Sequence, residues 1–138
     1  MNKKYSYELE ADVKNLELML EPIEKELEEL NVEHKTIYKI RLALEELFTN
    51  VANYAYQPGK GQIQIAYVVK DNPRSIEVTI KDNGKAFNPL ESKEPDLDAK
   101  VEDRRIGGLG LFIVKNTMDG ISYVRKDNQN ILVIIKNI

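Results

Sequence analysis

Apolar and polar residues follow two different periods along this chain, which divide it into predicted strands and helices. Near the start, Tyr5, Tyr7 and Leu9 alternate with polar residues, as is typical of a short edge strand. An amphipathic helix is predicted from about Val13 to Leu30. Its polar face is strongly acidic, and a run of charges on a helix usually marks a solvated face, so we give it no specific role.

A second helix is predicted from Asn31 or Glu33 to about Tyr56, where Pro58 and Gly59 stop it. Its apolar residues recur at steps of three and four, which predicts one buried stripe. The stripe consists of Ile37, Ile40, Leu44, Leu47, Val51 and Tyr54.

The rest of the chain alternates at the period of strands, with one further helix. The predicted strands are Gln62 to Val69, Ser75 to Lys81, Ile121 to Lys126 and Ile131 to Lys136, and the predicted helix is Leu109 to Met118. Turns are predicted at Asp71 to Arg74 and at Asp127 to Asn130.

Composition and net charge exclude several classes of protein. With 138 residues and 42% apolar content, it can close one substantial core, so we expect a single domain over residues 1–138. The net charge of −3 favours neither direct nucleic-acid binding nor an anionic membrane. No apolar run suits a signal peptide or a bilayer span, and cysteine is absent, so we expect a cytoplasmic protein.

Glu46, Asn50 and Asn53 are spaced four and three apart on the second helix, so they are predicted to share one polar stripe. A carboxylate one turn from a carboxamide suits the positioning of a water or hydroxyl and the binding of hydrated Mg²⁺. The neighbouring Glu45 lies about 100° away around the helix. A plain solvated face remains the alternative for this stripe.

The alternation of Ile76, Val78 and Ile80 continues to Asp82, which places this carboxylate on the buried face of its strand. An unpaired buried charge costs several kcal/mol, and a ligand amino group such as that of adenine would supply a donor. Gly84 would let the backbone approach that ligand closely. Alternatively, residues 82–84 form only a strand-ending turn.

A glycine-rich segment, Gly107 to Leu111, leads into the last helix and could present backbone N–H groups to phosphate oxygens. It lacks the lysine of a P-loop and the early position of a dinucleotide fingerprint. Glycines that merely begin a helix are the alternative.

The polar stretch from about Lys85 to Arg105 suits a lid over a nucleotide, since loops of this length are usually functional or disordered. Arg104 or Arg105 could reach terminal phosphate oxygens, unless both are simply solvated. His34 lacks metal partners at useful spacing and is predicted to lie at the surface.

Together these motifs resemble the GHKL ATPases, and within them the small bacterial anti-sigma factor serine kinases. Residues 46–50 are similar to the N box of that family, residues 82–87 to its first glycine box and residues 107–111 to its second. The resemblance covers nearly the whole chain. It implies an α+β Bergerat fold, a two-layer α/β sandwich in which helices cover one face of a mixed, mostly antiparallel sheet.

The resemblance also implies roles for individual residues, with ATP and Mg²⁺ as cofactors. Glu46 would be the general base, Asn50 the Mg²⁺ ligand and Asp82 the adenine anchor. The implied nucleotide contacts are Asn50, Asn53, Asp82, Gly84, Ala86, Arg105, Gly107, Gly108, Leu109, Gly110 and Leu111.

The implied function is phosphorylation of a serine on an anti-anti-sigma protein, together with sequestration of a sigma factor by a homodimer. Two alternatives remain: a nucleotide-dependent binding module that transfers no phosphate, and an ATP-hydrolysing switch that uses water as the acceptor. The chain departs from the family pattern at three places. Tyr54 replaces a frequent His, Ala86 a usual Gly or Pro, and Asn130-Ile131 a frequent Gly-Thr pair whose hydroxyl would aid adenine binding.

Overall fold

The computed structural model describes residues 4–56, 59–91 and 108–138 of the chain. Five strands within these ranges form one sheet in the order β1-β2-β3-β5-β4. The strands are β1 Lys4–Glu10, β2 Gln62–Lys70, β3 Ser75–Asp82, β4 Gly120–Lys126 and β5 Gln129–Asn137. All four pairings between these strands are antiparallel.

Three α-helices of the described ranges accompany the sheet: α1 Leu16–Glu29, α2 His34–Asn50 and α3 Gly108–Thr117. A short 3-10 turn, Val13–Asn15, precedes α1, and Asp12 caps it by accepting a hydrogen bond from the Lys14 backbone. The α2 helix continues directly into a π-helical segment, Val51–Ala55. A second 3-10 turn spans Pro89–Glu91.

The core lies between the three helices and one face of the sheet. Alternate residues of β2 and β3 are buried there, so these strands present one apolar face to the helices. The α2 helix lies in the middle and contacts both α1 and α3. Its fully buried side chains include Leu44, Leu47 and Phe48. The predicted two-layer sandwich with helices on one face is therefore confirmed.

The α1 and α2 helices are also joined at their partly exposed edges. The Arg41 guanidinium of α2 forms ion pairs with Glu17 and Glu24 of α1, the second at 2.7 Å. Part of the acidic face of α1 therefore pairs with its neighbouring helix. The remaining acidic residues of that face carry no assigned role.

The predicted elements agree with the observed ones to within a few residues at most ends, and the differences have local causes. The β4–β5 turn needs only Asp127 and Asn128, both with positive φ, so Asn130 belongs to β5 and not to the predicted turn. The prediction that Tyr54 belongs to the buried stripe was wrong, since Tyr54 is 37% exposed. The change from α to π geometry after Asn50 alters the direction of later side chains.

Among the described residues, no helix is both long and apolar enough to cross a membrane. His34 lies at the surface, as predicted, at the first position of α2.

Candidate active site

Glu46 and Asn50 lie on adjacent turns near the end of α2, as their spacing predicts. The Asn50 side chain is only 6% exposed, and its Nδ2 donates a hydrogen bond to Glu46 Oε1 over 3.4 Å. Burial raises the pKa of Glu46, the bond from Asn50 partly opposes this, and the negative charge of Glu45 adds to it. A raised pKa brings a carboxylate closer to the range in which a general base works best.

The loop after β3 is held against the π-helical end of α2. Lys85 N donates to the Ala55 carbonyl over 2.7 Å, and Asn83 N donates to the Tyr56 hydroxyl over 2.8 Å. The Tyr56 hydroxyl in turn donates to the Gln62 carbonyl at the start of β2. These bonds fix the position of the loop relative to α2 and to the sheet.

Asp82 is the last residue of β3, and it is buried, with 5% of its surface exposed. Its Oδ1 accepts two hydrogen bonds of 2.9 Å, from Gly84 N and from Asn130 Nδ2. Burial raises the pKa of Asp82, while these two bonds and the positive charge of Arg125 act in the opposite direction. The predicted burial of this carboxylate is confirmed.

Asn130 is a site residue that the sequence analysis did not identify. The strand register pairs it with Asp82, whereas Ile131 pairs with Lys81 on the opposite face of the sheet. Asn130 therefore supplies a polar partner for Asp82 at the pair of residues where the family pattern often has Gly-Thr and this chain lacks the threonine hydroxyl. The signal that could have found Asn130 is the alternation of β5, in which Asn130, Leu132 and Ile134 share the buried face.

A cleft forms where these elements meet. Its walls combine apolar side chains from α2, β3 and β5 with the polar groups of Asn50, Asp82 and Asn130. The lining residues are Leu47, Asn50, Val51, Ala55, Ile80, Asp82, Phe87, Pro89, Tyr123, Asn130 and Leu132. An apolar cleft with a few convergent polar groups is typical of a small-molecule site.

Other predicted site residues lie apart from the cleft lining. Asn53 falls within the π-helical segment and is half-buried. Ala86 is exposed, and Leu111 is buried in the hydrophobic core beside Val114. Gly84 lies in the loop after β3, next to Asp82.

The glycine-rich segment and the predicted lid are described only in part. Gly108, Leu109 and Gly110 form the first turn of α3, while Arg104, Arg105 and Gly107 lie outside the described residues. The predicted lid is described as far as Glu91, which ends the 3-10 turn. At this turn the Leu90 carbonyl accepts a 3.0 Å hydrogen bond from Lys115 Nζ of α3.

The polar groups near the cleft fit the cofactors that the sequence predicts. The Asn50 carboxamide donates to Glu46 through its nitrogen, which leaves its oxygen at the other end of the planar group. Carboxamide and carboxylate oxygens are ligands that Mg²⁺ accepts, usually one or two from the protein beside waters and phosphate oxygens. The buried carboxylate of Asp82 is a hydrogen-bond acceptor in the lining of the cleft.

Comparison with known proteins identifies the class to which this fold and site belong. Residues 9–136 match the model of the histidine kinase-like ATPase domain family. The chain belongs to that family, and the GHKL-type ATPase class expected from its motifs is confirmed.

The chain is also similar to individual protein kinases. It is 29% identical over 97 residues to the serine/threonine-protein kinase BtrW of Bordetella bronchiseptica, covering 70% of this chain and 68% of that protein. It is 31% identical over 101 residues to the serine-protein kinase RsbW of Bacillus cereus, covering 70% of this chain and 62% of that protein. The chain thus spans about two thirds of the length of the curated relatives it matches.

Solved structures with low sequence identity share the fold. The crystal structure of the RsbU and RsbW domains of a Mycobacterium tuberculosis protein matches 98% of this chain and 32% of that chain, with a TM-score of 0.67 and 14% identity. The histidine kinase domain of a blue-light activated kinase from Erythrobacter litoralis matches 88% of this chain and 60% of that chain, with a TM-score of 0.57 and 18% identity.

Proposed function

We propose that this chain is an ATP-dependent protein serine kinase that also acts as an anti-sigma factor. It transfers a phosphoryl group to a serine of an anti-anti-sigma protein, and it sequesters a sigma factor, in the cytoplasm. The names of the similar kinases support the reaction class. The observation that carries the proposal is the Glu46–Asn50 pair, in which Glu46 accepts a hydrogen bond from Asn50 and Asn50 lines the same cleft as the buried carboxylate of Asp82.

In this proposal Asp82, Glu46 and Asn50 have distinct tasks. Asp82 accepts a hydrogen bond from the amino group of adenine, and the apolar walls contact the base. Glu46 accepts the proton of the serine hydroxyl as it attacks the terminal phosphorus, and its raised pKa suits that task near neutral pH. Asn50 orients Glu46 through its carboxamide nitrogen.

Mg²⁺ is proposed as the cofactor, bound by the Asn50 oxygen, and when bound it would neutralise charge on the phosphates. Backbone N–H groups at the start of α3, in the segment Gly107 to Leu111, would bind phosphate oxygens. Arg105 would complete the phosphate contacts by paired, charge-assisted bonds. Gly84, Ala86 and Asn53 remain proposed nucleotide contacts on the basis of the sequence motifs.

A homodimer is part of the proposal. The β1 strand is the terminal strand of the sheet, and exposed Tyr5 stacks on Tyr67 of β2 at this edge. Edge strands present backbone groups that a second chain can pair with. Sedimentation of the purified protein at several concentrations tests whether two copies associate.

The Glu46→Gln variant tests the reaction. It keeps the size and planar shape of the side chain, with one oxygen that can still accept from Asn50, but removes the base. We therefore expect phosphoryl transfer to fall by roughly 10²-fold or more, while the Kd for ATP changes little. The measurement uses Mg²⁺ and γ-labelled ATP with candidate anti-anti-sigma proteins from the same genome. Label should appear on a serine of one candidate.

The Glu45→Gln variant is the matched control, because Glu45 carries the same carboxylate on another side of α2. It should retain most of the transfer activity. Phosphate release without labelled protein would instead support the hydrolysing switch. Binding of ATP with neither transfer nor release would support the nucleotide-dependent binding module, and absence of ATP binding would refute the site.

A further inference from the structure

Asn130 makes hydrogen bonds with groups on four sides of its carboxamide. Its Nδ2 donates to Asp82 Oδ1 over 2.9 Å and to the Lys85 carbonyl over 2.7 Å. Its Oδ1 accepts from Phe87 N over 3.2 Å and from the Tyr123 hydroxyl. Both donor and both acceptor positions of the carboxamide are therefore in use, and at 5% exposure it has little freedom to rotate.

The bond to Asp82 determines which carboxylate oxygen is left for a ligand. Within the described part of the chain, the hydrogen bonds that Asp82 accepts, from Gly84 N and Asn130 Nδ2, both end on Oδ1. A carboxylate has further acceptor capacity on its second oxygen. Since Asp82 lines the cleft, Oδ2 is the oxygen available to a donor on a bound base.

We propose that Asn130 is the positioning residue that makes Asp82 selective for a purine with an amino group at C6. By donating to Oδ1, it fixes the orientation of the carboxylate and directs Oδ2 toward the ligand. Guanine would present a carbonyl oxygen where adenine presents its amino group, and two facing acceptors repel each other. This inference rests on the proposed nucleotide site and adds a residue that determines its specificity.

Asn130 also anchors the segment after β3, through Lys85 and Phe87, so a purely structural role has to be distinguished. The two roles predict different changes in the affinity for nucleotides. Loss of an anchor weakens every nucleotide to the same extent, because the cleft as a whole deforms. Loss of carboxylate orientation weakens only a ligand that carries the amino group.

The test compares ATP with purine riboside triphosphate, which lacks the amino group and is otherwise identical. Equilibrium Kd values for both ligands are measured with the wild type and with Asn130→Ala. The wild type should prefer ATP. In Asn130→Ala this preference should fall about tenfold, on the scale of one hydrogen bond to a charged group, through weaker ATP binding at constant affinity for the analogue.

Two further variants keep the test decisive. Asn116→Ala removes an exposed asparagine near the end of α3 and should leave the preference unchanged. Tyr123→Phe removes only the hydroxyl that donates to Asn130, so it should reduce the preference by a smaller factor, and it decides the matter if Asn130→Ala does not fold.

Each other outcome contradicts a specific statement. Equal losses for both ligands, or an unchanged preference, would overturn the positioning role of Asn130. A wild type that binds both ligands equally well would also overturn it, while leaving nucleotide binding intact. A wild type that binds neither ligand would refute the proposed function itself.

Discussion

Asp82 is a carboxylate in a cleft with mostly apolar walls, and its neighbours determine whether it is charged. Removal from water favours the protonated form, whereas hydrogen bonds from Asn130 and Gly84 favour the carboxylate. Burial has the larger effect, so the pKa of Asp82 in the folded protein lies above its ordinary value. Near neutral pH, the burial of the charged Asp82 carboxylate therefore lowers the free energy of unfolding.

Comparison with the Asp82→Asn variant should reveal this loss of stability as a pH-dependent difference in the free energy of unfolding. An acid whose pKa is raised on folding binds more protons in the folded state, so its contribution to stability falls as pH rises. The stability of the wild type relative to Asp82→Asn should therefore decrease from about pH 3.9, the unfolded pKa of Asp, through the folded pKa. Urea unfolding of both proteins across this pH range measures the difference.

Glu46 titrates in both proteins, so its contribution cancels in this comparison. A difference that instead increased with pH would mean that the pKa of Asp82 is lowered by its hydrogen bonds. Asp82→Asn should also lose affinity for ATP, because a carboxamide can present its NH₂ group where the ligand needs an acceptor.

At the scale of elements, the π-helical end of α2 and the loop after β3 form one packed unit. A Cβ atom added at Gly84 would lie 2.6 Å from Ala55 Cβ and closer still to the Ala55 carbonyl oxygen. Backbone atoms of two elements meet here, so neither can shift without moving the other. The two predicted nucleotide motifs are thereby held at a fixed distance.

Gly84→Ala should therefore destabilise the protein, by roughly 1–3 kcal/mol on the scale of overpacked sites. Because the Ala55 carbonyl belongs to the backbone, relief requires movement of the loop that directly follows Asp82, and ATP binding should weaken as well. Urea unfolding and ATP titration measure both effects.

Gly59→Ala provides the control, because a Cβ at Gly59 would lie 3.4 Å from the Tyr56 carbonyl oxygen, an ordinary contact. Its free energy of unfolding should change by less than about 0.5 kcal/mol, as is usual for surface substitutions. If Gly84→Ala and Gly59→Ala have the same free energy of unfolding, the loop after β3 moves away from Ala55 at little energetic cost.

At the scale of the whole molecule, the cleft draws its residues from distant parts of the chain. Asn50 ends α2, Asp82 ends β3, and Asn130 lies near the start of β5, while Tyr123 belongs to β4. A ligand bound here would contact both layers of the sandwich at once. It would then bind the folded chain and have little affinity for the unfolded one.

ATP with Mg²⁺ should accordingly stabilise the protein by mass action, by about 2.7 kcal/mol at a concentration one hundred times the Kd. Thermal unfolding at increasing ATP concentrations measures the rise in Tm. GTP at the same concentrations should produce a smaller rise, because guanine has a carbonyl oxygen at C6, where adenine has the amino group that donates a hydrogen bond to Asp82. Equal shifts with both nucleotides would indicate binding through the phosphates alone.

The sequence by itself determined the elements and the face on which most residues lie. Periods of two and of three to four residues placed the strands and helices, and alternation placed Asp82 on the buried face, because local geometry fixes side-chain direction within a regular element. Tyr54 was misplaced where that regularity ends, at the change from α to π geometry.

Only the tertiary structure decided which side chains meet. The order β1-β2-β3-β5-β4 places β5 beside β3, and the register then sets Asn130 opposite Asp82, 48 residues away along the chain. The contact between Gly84 and Ala55 likewise depends on how α2 packs over the sheet. Strand order and packing arise from contacts between distant residues, which no local period of the sequence encodes.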